Sequence, residues 1–226
     1  MVLEELLAPA GSYEVLVIAV NAGADAIYLA GNRFGARAYA KNFDREELIG
    51  AIKYAHIFGV KVYLTINTLF KNRELDSLGE FLAPFYTAGL DGVIVQDLGV
   101  FAYVKELFPQ MELHVSTQMS VTSLEGAALL TEMGAKRIVP ARELSMDELK
   151  KMCEAGIEVE SFIHGSMCYC YSGQCLFSSL IGARSGNRGR CAQPCRLSYQ
   201  YENGKNGYCF SLKDMCTIEY LPEILS

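Results

Sequence analysis

No stretch of this chain stays apolar for the ~18 residues that a membrane-crossing helix needs. The opening Met1-Val2-Leu3-Glu4-Glu5 places two acids where a signal peptide would carry Lys or Arg. The sequence also lacks a GxGxxG run, a P-loop and an HExxH motif, so nucleotide-binding and zinc-protease readings start unsupported. With 51% hydrophobic and 20% charged residues over 226 positions, it is no disordered tail, collagen-like fibre or small disulfide scaffold. That length allows one large domain with a full core, or at most two small ones. A net charge of −6 argues against a general nucleic-acid coat. Together these features predict a soluble, cytoplasmic protein.

A more local absence is more informative. Residues 161–201 contain no Asp or Glu, yet hold Arg184, Arg188, Arg190, Arg196 and His164. The segment carries +4, which leaves −10 for the other residues. It also holds five of the eight cysteines: Cys168, Cys170, Cys175, Cys191 and Cys195. Cys209 and Cys216 follow, and only Cys153 precedes it. Such crowding in a cytoplasmic chain points to metal or redox chemistry before disulfides.

Elsewhere a phrase repeats: a helix-like stretch ends at a glycine, and a β-rich run follows. Gly23 precedes Ala26-Ile27-Tyr28-Leu29, and Gly59 precedes Lys61-Val62-Tyr63-Leu64-Thr65. Gly89, Gly134 and Gly156 stand likewise before Val93-Ile94-Val95, Arg137-Ile138-Val139 and Glu158-Val159. Glycine just past a helix supplies its left-handed stop, and the β-branched run reads as a buried parallel strand. Leu6-Leu7-Ala8 and Glu112-Leu113-His114-Val115 complete seven strands. Helices are expected over 44–58, 76–88, 98–108, 123–132 and 145–154, with capping signals at Asp44 and at Ser145 with Glu148.

This alternation predicts an α/β fold, a parallel (β/α) TIM-type barrel, with a doubly wound sheet as the alternative. The barrel is expected to be incomplete at the C-terminus. A helical stretch, 217–225, stands where an eighth strand should come, unless Phe210-Ser211-Leu212 serves as that strand. Residues 1–163 form the seven-strand portion. Residues 164–226 form a Cys/Arg-rich segment packed on the barrel mouth, within the same domain.

Chemistry in parallel α/β folds sits at the carboxyl ends of the strands. Here those ends carry Asn32-Arg33, Asn67-Thr68, Gln96-Asp97, Ser116-Thr117-Gln118, Arg142-Glu143 and His164. Amides and hydroxyls position polar ligands, and Arg33, Arg37 and Arg142 are suited to a carboxylate or phosphate. A polar or anionic small molecule in the barrel mouth is the implied ligand.

The strongest signal is the run Glu160-Ser161-Phe162-Ile163-His164-Gly165-Ser166-Met167-Cys168, followed by Tyr171-Ser172-Gly173-Gln174-Cys175. Asn187-Arg188-Gly189-Arg190-Cys191-Ala192-Gln193-Pro194-Cys195-Arg196 comes later. These residues resemble the signature of the collagenase-like peptidases of unassigned catalytic type, family U32. Leu7-Ala8-Pro9-Ala10-Gly11, Tyr28 to Arg37, Asn67-Thr68, Gln96-Asp97, Ser116-Thr117-Gln118 and Ser211-Leu212-Lys213-Asp214 extend the likeness over nearly the whole chain. Members usually continue into a further strand.

The resemblance implies an iron–sulfur enzyme of oxygen-independent hydroxylation. Relatives hydroxylate a tRNA wobble uridine or a ribosomal-RNA cytidine, with prephenate implicated as oxygen donor, or act in ubiquinone biosynthesis. Cys168, Cys175 and Cys191 match the motif positions of cluster ligands. Cys216 is expected as the fourth, with Cys195 as its competitor. Six and fifteen residues separate Cys168, Cys175 and Cys191, gaps too irregular for a zinc ribbon, which favours the cluster over zinc, the alternative metal. Cys170 is read as a bystander, and Cys153 and Cys209 as packing residues.

In this reading Asn67, Gln118, Arg142 and His164 contact the donor or substrate, with His164 moving protons and Glu160 beside it. Arg184, Arg188 and Arg190 hold RNA backbone, and the aromatics Phe162, Tyr169, Tyr171, Phe177, Tyr199 and Tyr201 stack bases or cover the cluster. Two other functions compete: a protease using His164 with Ser166 or Cys168, and a zinc-stapled, non-catalytic docking barrel.

Overall fold

A computed structural model describes residues 5–225; the opening up to Glu4 lies outside the described residues. The glycine phrase becomes a strand–helix alternation. Strands β1 (Leu7–Pro9), β2 (Ala26–Leu29), β3 (Lys61–Ile66), β4 (Gly92–Val95), β5 (Glu112–Val115) and β6 (Arg137–Ile138) form one sheet in that order. Every pairing within it is parallel. Helices α1 (Tyr13–Asn21), α2 (Arg45–Ile57), α3 (Asn72–Leu75), α4 (Leu78–Thr87), α5 (Leu98–Leu107), α6 (Leu124–Glu132) and α7 (Met146–Glu154) supply the crossovers.

The expected stops and starts are present. Gly23, Gly59, Gly89, Gly134 and Gly156 all have φ between 71° and 106°, the left-handed region that a Cβ disfavours. Asp44 with Glu47 and Ser145 with Glu148 each form a reciprocal capping box.

The strands run in chain order without the reversal of a doubly wound sheet. Laid flat, β1 and β6 of a six-stranded sheet would stand about 24 Å apart at the usual spacing. Glu5, just ahead of β1, nevertheless ion-pairs with Arg137 of β6 at 2.6 Å. The sheet therefore curls on itself into a partial (β/α) barrel.

Side chains alternate across this curved wall. Val62, Leu64 and Ile66 point outward into a core with Leu16, Leu48, Ile52, Leu82, Phe101 and their neighbours, all buried. Tyr63 points inward with Ala26 and Ile94, against Leu7 and Tyr28.

One expectation about strands changes, while the barrel is incomplete as expected. Glu158-Val159 does not form a full seventh strand. Val159 makes a single parallel bridge to Ile138, and the Ile138 and Glu160 amides donate to the Glu158 and Ile138 carbonyls at 2.9 Å each. The side chains of Glu158 and Glu160 turn instead to Arg137. Phe210-Ser211-Leu212 is not a strand either, because a turn closes from the Ser211 amide to the Tyr208 carbonyl.

The remaining residues form short elements. β7 (His164–Gly165) pairs antiparallel with β10 (Met215–Cys216), and β8 (Tyr199–Gln200) with β9 (Asn206–Gly207). Helix α8 (Phe177–Gly182) lies between these pieces, and α9 (Leu221–Ile224) falls within the expected helical stretch.

Candidate functional site

The strand ends open on a cavity of about 320 Å³. The loop after β2 contributes Arg37, Lys41 and Asn42 to its wall, and the ends of β3 and β5 contribute Asn67 and Gln118. Arg142 and Glu160 close another side, and Cys168, Cys175 and Cys191 complete it. Expected residues from distant parts of the chain thus meet in one place.

Local chemistry explains how. The loop over residues 31–43 is pinched at its base by a Gly31–Phe43 bridge, and the Asn67 side-chain oxygen accepts from the Ala36 amide at 3.0 Å. Ser116 caps the short turn Thr117–Met119, and Thr117 donates to the Pro140 carbonyl at 3.0 Å, which seats Gln118 at the end of β5. Arg142 lies over the Phe162 ring at 3.9 Å, and its buried Nε has no partner among the described residues.

The cysteine segment is fastened to these loops by close contacts. Gly173 (φ 81°) packs so tightly on the Gln118 backbone that a Cβ would overlap the Gln118 carbonyl. Ser120, itself left-handed, donates to the Ser172 carbonyl at 2.5 Å and accepts from the Gln174 side-chain Nε2 at 2.8 Å. Gly189 packs on Gly35 and Ala36 in the same manner, and its carbonyl accepts from the Ala38 amide. Farther along, Ser178 Oγ accepts from the Ala192 amide beside Cys191. The Arg196 guanidinium joins the carbonyls of Met167 and Leu212 at 2.8 and 2.7 Å, tying the chain beside Cys195 to the chain beside Cys168.

The thiols share one neighbourhood. Desolvation raises the pKa of Cys168, the Arg142 charge opposes this, and the thiols of Cys175, Cys191 and Cys195 raise it further. Cys170 is likewise raised, first by desolvation and then by Cys175. Among the described residues, no three His, Cys, Asp or Glu side chains close around one point as ligands of a single ion would. An iron–sulfur cluster asks for a different arrangement, because each cysteine takes its own iron and the sulfurs stand apart. A thiol-only group on one wall fits the donor set of such a cluster.

Other expected residues stand elsewhere. His164 is exposed in β7, opposite Cys216, and does not line the cavity. Arg33 lies over Phe34 at 4.5 Å and donates to Ser77. Arg188 points away from solvent ligands: it makes a two-pronged ion pair with Glu74 at 3.1 and 2.6 Å and donates to the Leu69 carbonyl. That pair holds the Glu74 carboxyl at about 2. Arg184 is exposed over the ring of Tyr39 at 5.5 Å, and Arg190 is exposed next to Gly189. Lys41 and Asn42 line the cavity although nothing in their sequence context singles them out, and Tyr28 and Asn187, which belong to the runs that carry the family likeness, line it as well.

The model of Peptidase family U32 matches residues 11–226. tRNA hydroxylation protein P1 of Bacillus subtilis (strain 168) is 39% identical over 234 residues, covering 98% of this chain and 56% of that protein. The 23S rRNA 5-hydroxycytidine synthase of Escherichia coli (strain K12) is 40% identical over 197 residues, 86% of this chain and 29% of that protein. A solved U32 peptidase superposes with a TM-score of 0.62 at 18% identity, over 73% of this chain and 70% of its own, a likeness of fold. The chain thus spans about half the length, or less, of these two curated relatives.

Proposed function

This chain belongs to Peptidase family U32, and from that premise we propose that it is the barrel part of an enzyme that hydroxylates a tRNA or rRNA base. The reaction proceeds without molecular oxygen and depends on an iron–sulfur cluster. One observation carries the reading: three motif cysteines share a cavity wall with Asn67, Gln118, Arg142 and Glu160 at the carboxyl ends of the strands.

Cys168, Cys175, Cys191 and Cys195 would hold the cluster. Cys195 is preferred to Cys216 as fourth ligand because its thiol acts on Cys168 and Arg196 ties its backbone to Met167. Cys216 instead faces His164 in a separate ribbon. When bound, such a cluster supplies one-electron chemistry at the cavity wall. The protein's own groups bind and orient. Arg37 and Arg142 are suited to an anionic oxygen donor such as prephenate, while Asn67 and Gln118 present amides to a polar ring.

The RNA surface is the cavity rim. Arg37, Lys41, Arg184 and Arg190 make no ion pair among the described residues, so their charge is free for phosphates. Tyr39, Tyr169 and Tyr171 are exposed and able to stack on bases. Arg188 drops out of this surface because Glu74 engages it. No helix among the described residues is long and apolar enough to cross a membrane; the reading places the enzyme with its RNA in the cytoplasm. The protease reading gains no support, since no hydrogen bond joins His164 to Ser166 or Cys168 among the described residues.

The test is nucleoside mass spectrometry on tRNA and rRNA from a host that lacks such hydroxylation and is supplied with the full-length protein. A nucleoside heavier by one oxygen is expected with the wild type and not with Cys175→Ala. Unmodified RNA from cells holding cluster-loaded wild-type protein would overturn the proposal.

A further inference from the structure

Below the mouth cavity, the barrel interior holds one buried arginine ringed by partly buried carboxyls, a cluster to which the reaction scheme gives no role. Arg137 is only 8% exposed. Its guanidinium donates to Glu5 at 2.6 Å and to Glu158 at 2.8 Å, but reaches Glu160 only at 3.5 Å. Glu5 and Glu158 each have a second cation, Lys61 at 3.4 Å and Lys136 at 2.8 Å. Glu160 has none. One buried cation therefore serves three carboxyls, and the two nearer ones take its best hydrogen bonds.

A buried carboxylate needs a closely matched cation, or it keeps its proton. Glu160 is the carboxyl for which that match is poorest, and it is also the one that faces the cavity. The groups around it are Arg137 from β6, Glu5 ahead of β1, and Glu158 on its own segment. Tyr28 of β2, Arg37 and Arg142 share the cavity wall with it.

We propose that Glu160 is the proton donor and acceptor of the mouth cavity, and that Arg137, anchored by Glu5 and Glu158, is the positioning residue that sets its charge. The electrostatics agree: burial, first, pushes the Glu160 carboxyl up to about 7, Arg137 opposes this, and Glu5 and Glu158 add to it. While neutral, Glu160 does not repel an anion drawn in by Arg37 and Arg142, and its O–H donates to a ligand oxygen. When that oxygen takes the proton, the O–H bond of Glu160 breaks, a carboxylate remains, and the ligand becomes one charge less negative. The reverse transfer restores the acid. This inference deepens the reading of the cavity as the reaction site and rests on that reading for its chemistry.

Infrared difference spectroscopy on the full-length, cluster-loaded protein, titrated from about pH 5 to about pH 9, reads the proton directly and needs no turnover. A protonated-carboxyl band should disappear with a midpoint near 7 and be missing in Glu160→Gln. Removing the cation in Arg137→Gln should move the midpoint up, and Arg137→Lys should bring it back. Glu5→Gln frees the guanidinium and should move the midpoint down. A band that persists in Glu160→Gln, or a wild type with no carboxyl titrating above about pH 6, would overturn the assignment even if RNA hydroxylation is observed.

Discussion

The buried apolar side chains run from Ala10 to Ile157, and among the described residues beyond them only Pro194 joins that set. The barrel wall sits on an ordinary hydrophobic core, in which Leu16, Leu64, Leu82 and Val100 are wholly shielded from water. The cysteine segment buries Ser172, Ser178, Gly189 and Pro194 instead. It holds its place through close glycine contacts, hydrogen bonds, the Arg188–Glu74 pair and a small, partly exposed cluster of the rings of Tyr169, Phe177, Tyr199 and Phe210. A region of that kind has little area-driven stability of its own. Its order depends on the barrel loops beneath it and, in the proposed function, on the cluster that would cross-link it. Barrel wall and cysteine segment thus draw on different forces.

Substitutions can break this contrast. The largest effect on overall stability is expected from the barrel core. Leu64→Ala should lower the unfolding free energy by about 2–5 kcal/mol in denaturant titration, because it leaves a cavity in fully buried packing. A smaller loss would mean that the wall is less tightly packed than it looks. Gly173→Ala should behave in the opposite way, leaving global unfolding within about 1 kcal/mol while raising proteolysis within 161–216 several-fold. A Cβ there meets the Gln118 carbonyl, so the segment and not the core must move. Intact protection of that segment would show that the glycine contact is dispensable.

Arg188→Ala tests the remaining tether and carries a pH signature. The Glu74 carboxyl is held below its unfolded value, at about 2, first by its hydrogen bond to Arg188. Its contribution is therefore complete above about pH 4.5 and is lost as pH falls toward 2. The variant should be less stable than wild type by about 1 kcal/mol near neutrality, and the gap should close in acid. A gap independent of pH would contradict the pairing. Smallest in stability, yet clear in binding, should be Arg184→Ala and Arg190→Ala. Each should reduce the salt slope of RNA binding by about 1 and leave unfolding unchanged. An unaltered slope would remove these residues from the RNA surface.

The contrast also explains what the sequence could disclose. The barrel was legible because its signals are local. Glycine stops, two capping boxes and β-branched runs depend on neighbours within a few residues, and β2 and β5 fall where their runs predict them. Asn67, Gln118, Arg142 and Glu160 were legible because strand ends converge by topology. Partnerships over long separations were hidden. An acid-free stretch suggests free arginines, yet Arg188 finds Glu74, 114 residues away. Arg137 finds Glu5 across 132 residues, which no periodicity reveals. Lys41 and Asn42 reach the cavity only because Gly31 pairs with Phe43 and Ala38 with Gly189. His164 sits next to the motif in sequence, but its ribbon with Cys216 carries it away from the cavity.

The central claim is that the segment's thiols form one cofactor site on the barrel mouth. Iron and acid-labile sulfide should be measured on the full-length protein purified without oxygen, beside Cys195→Ala and Cys216→Ala. The account expects about four irons and four sulfides per chain in the wild type, retained in Cys216→Ala and lost in Cys195→Ala. Metal lost with Cys216 and kept without Cys195 would contradict the ligand set, and zinc in place of iron would contradict the redox site.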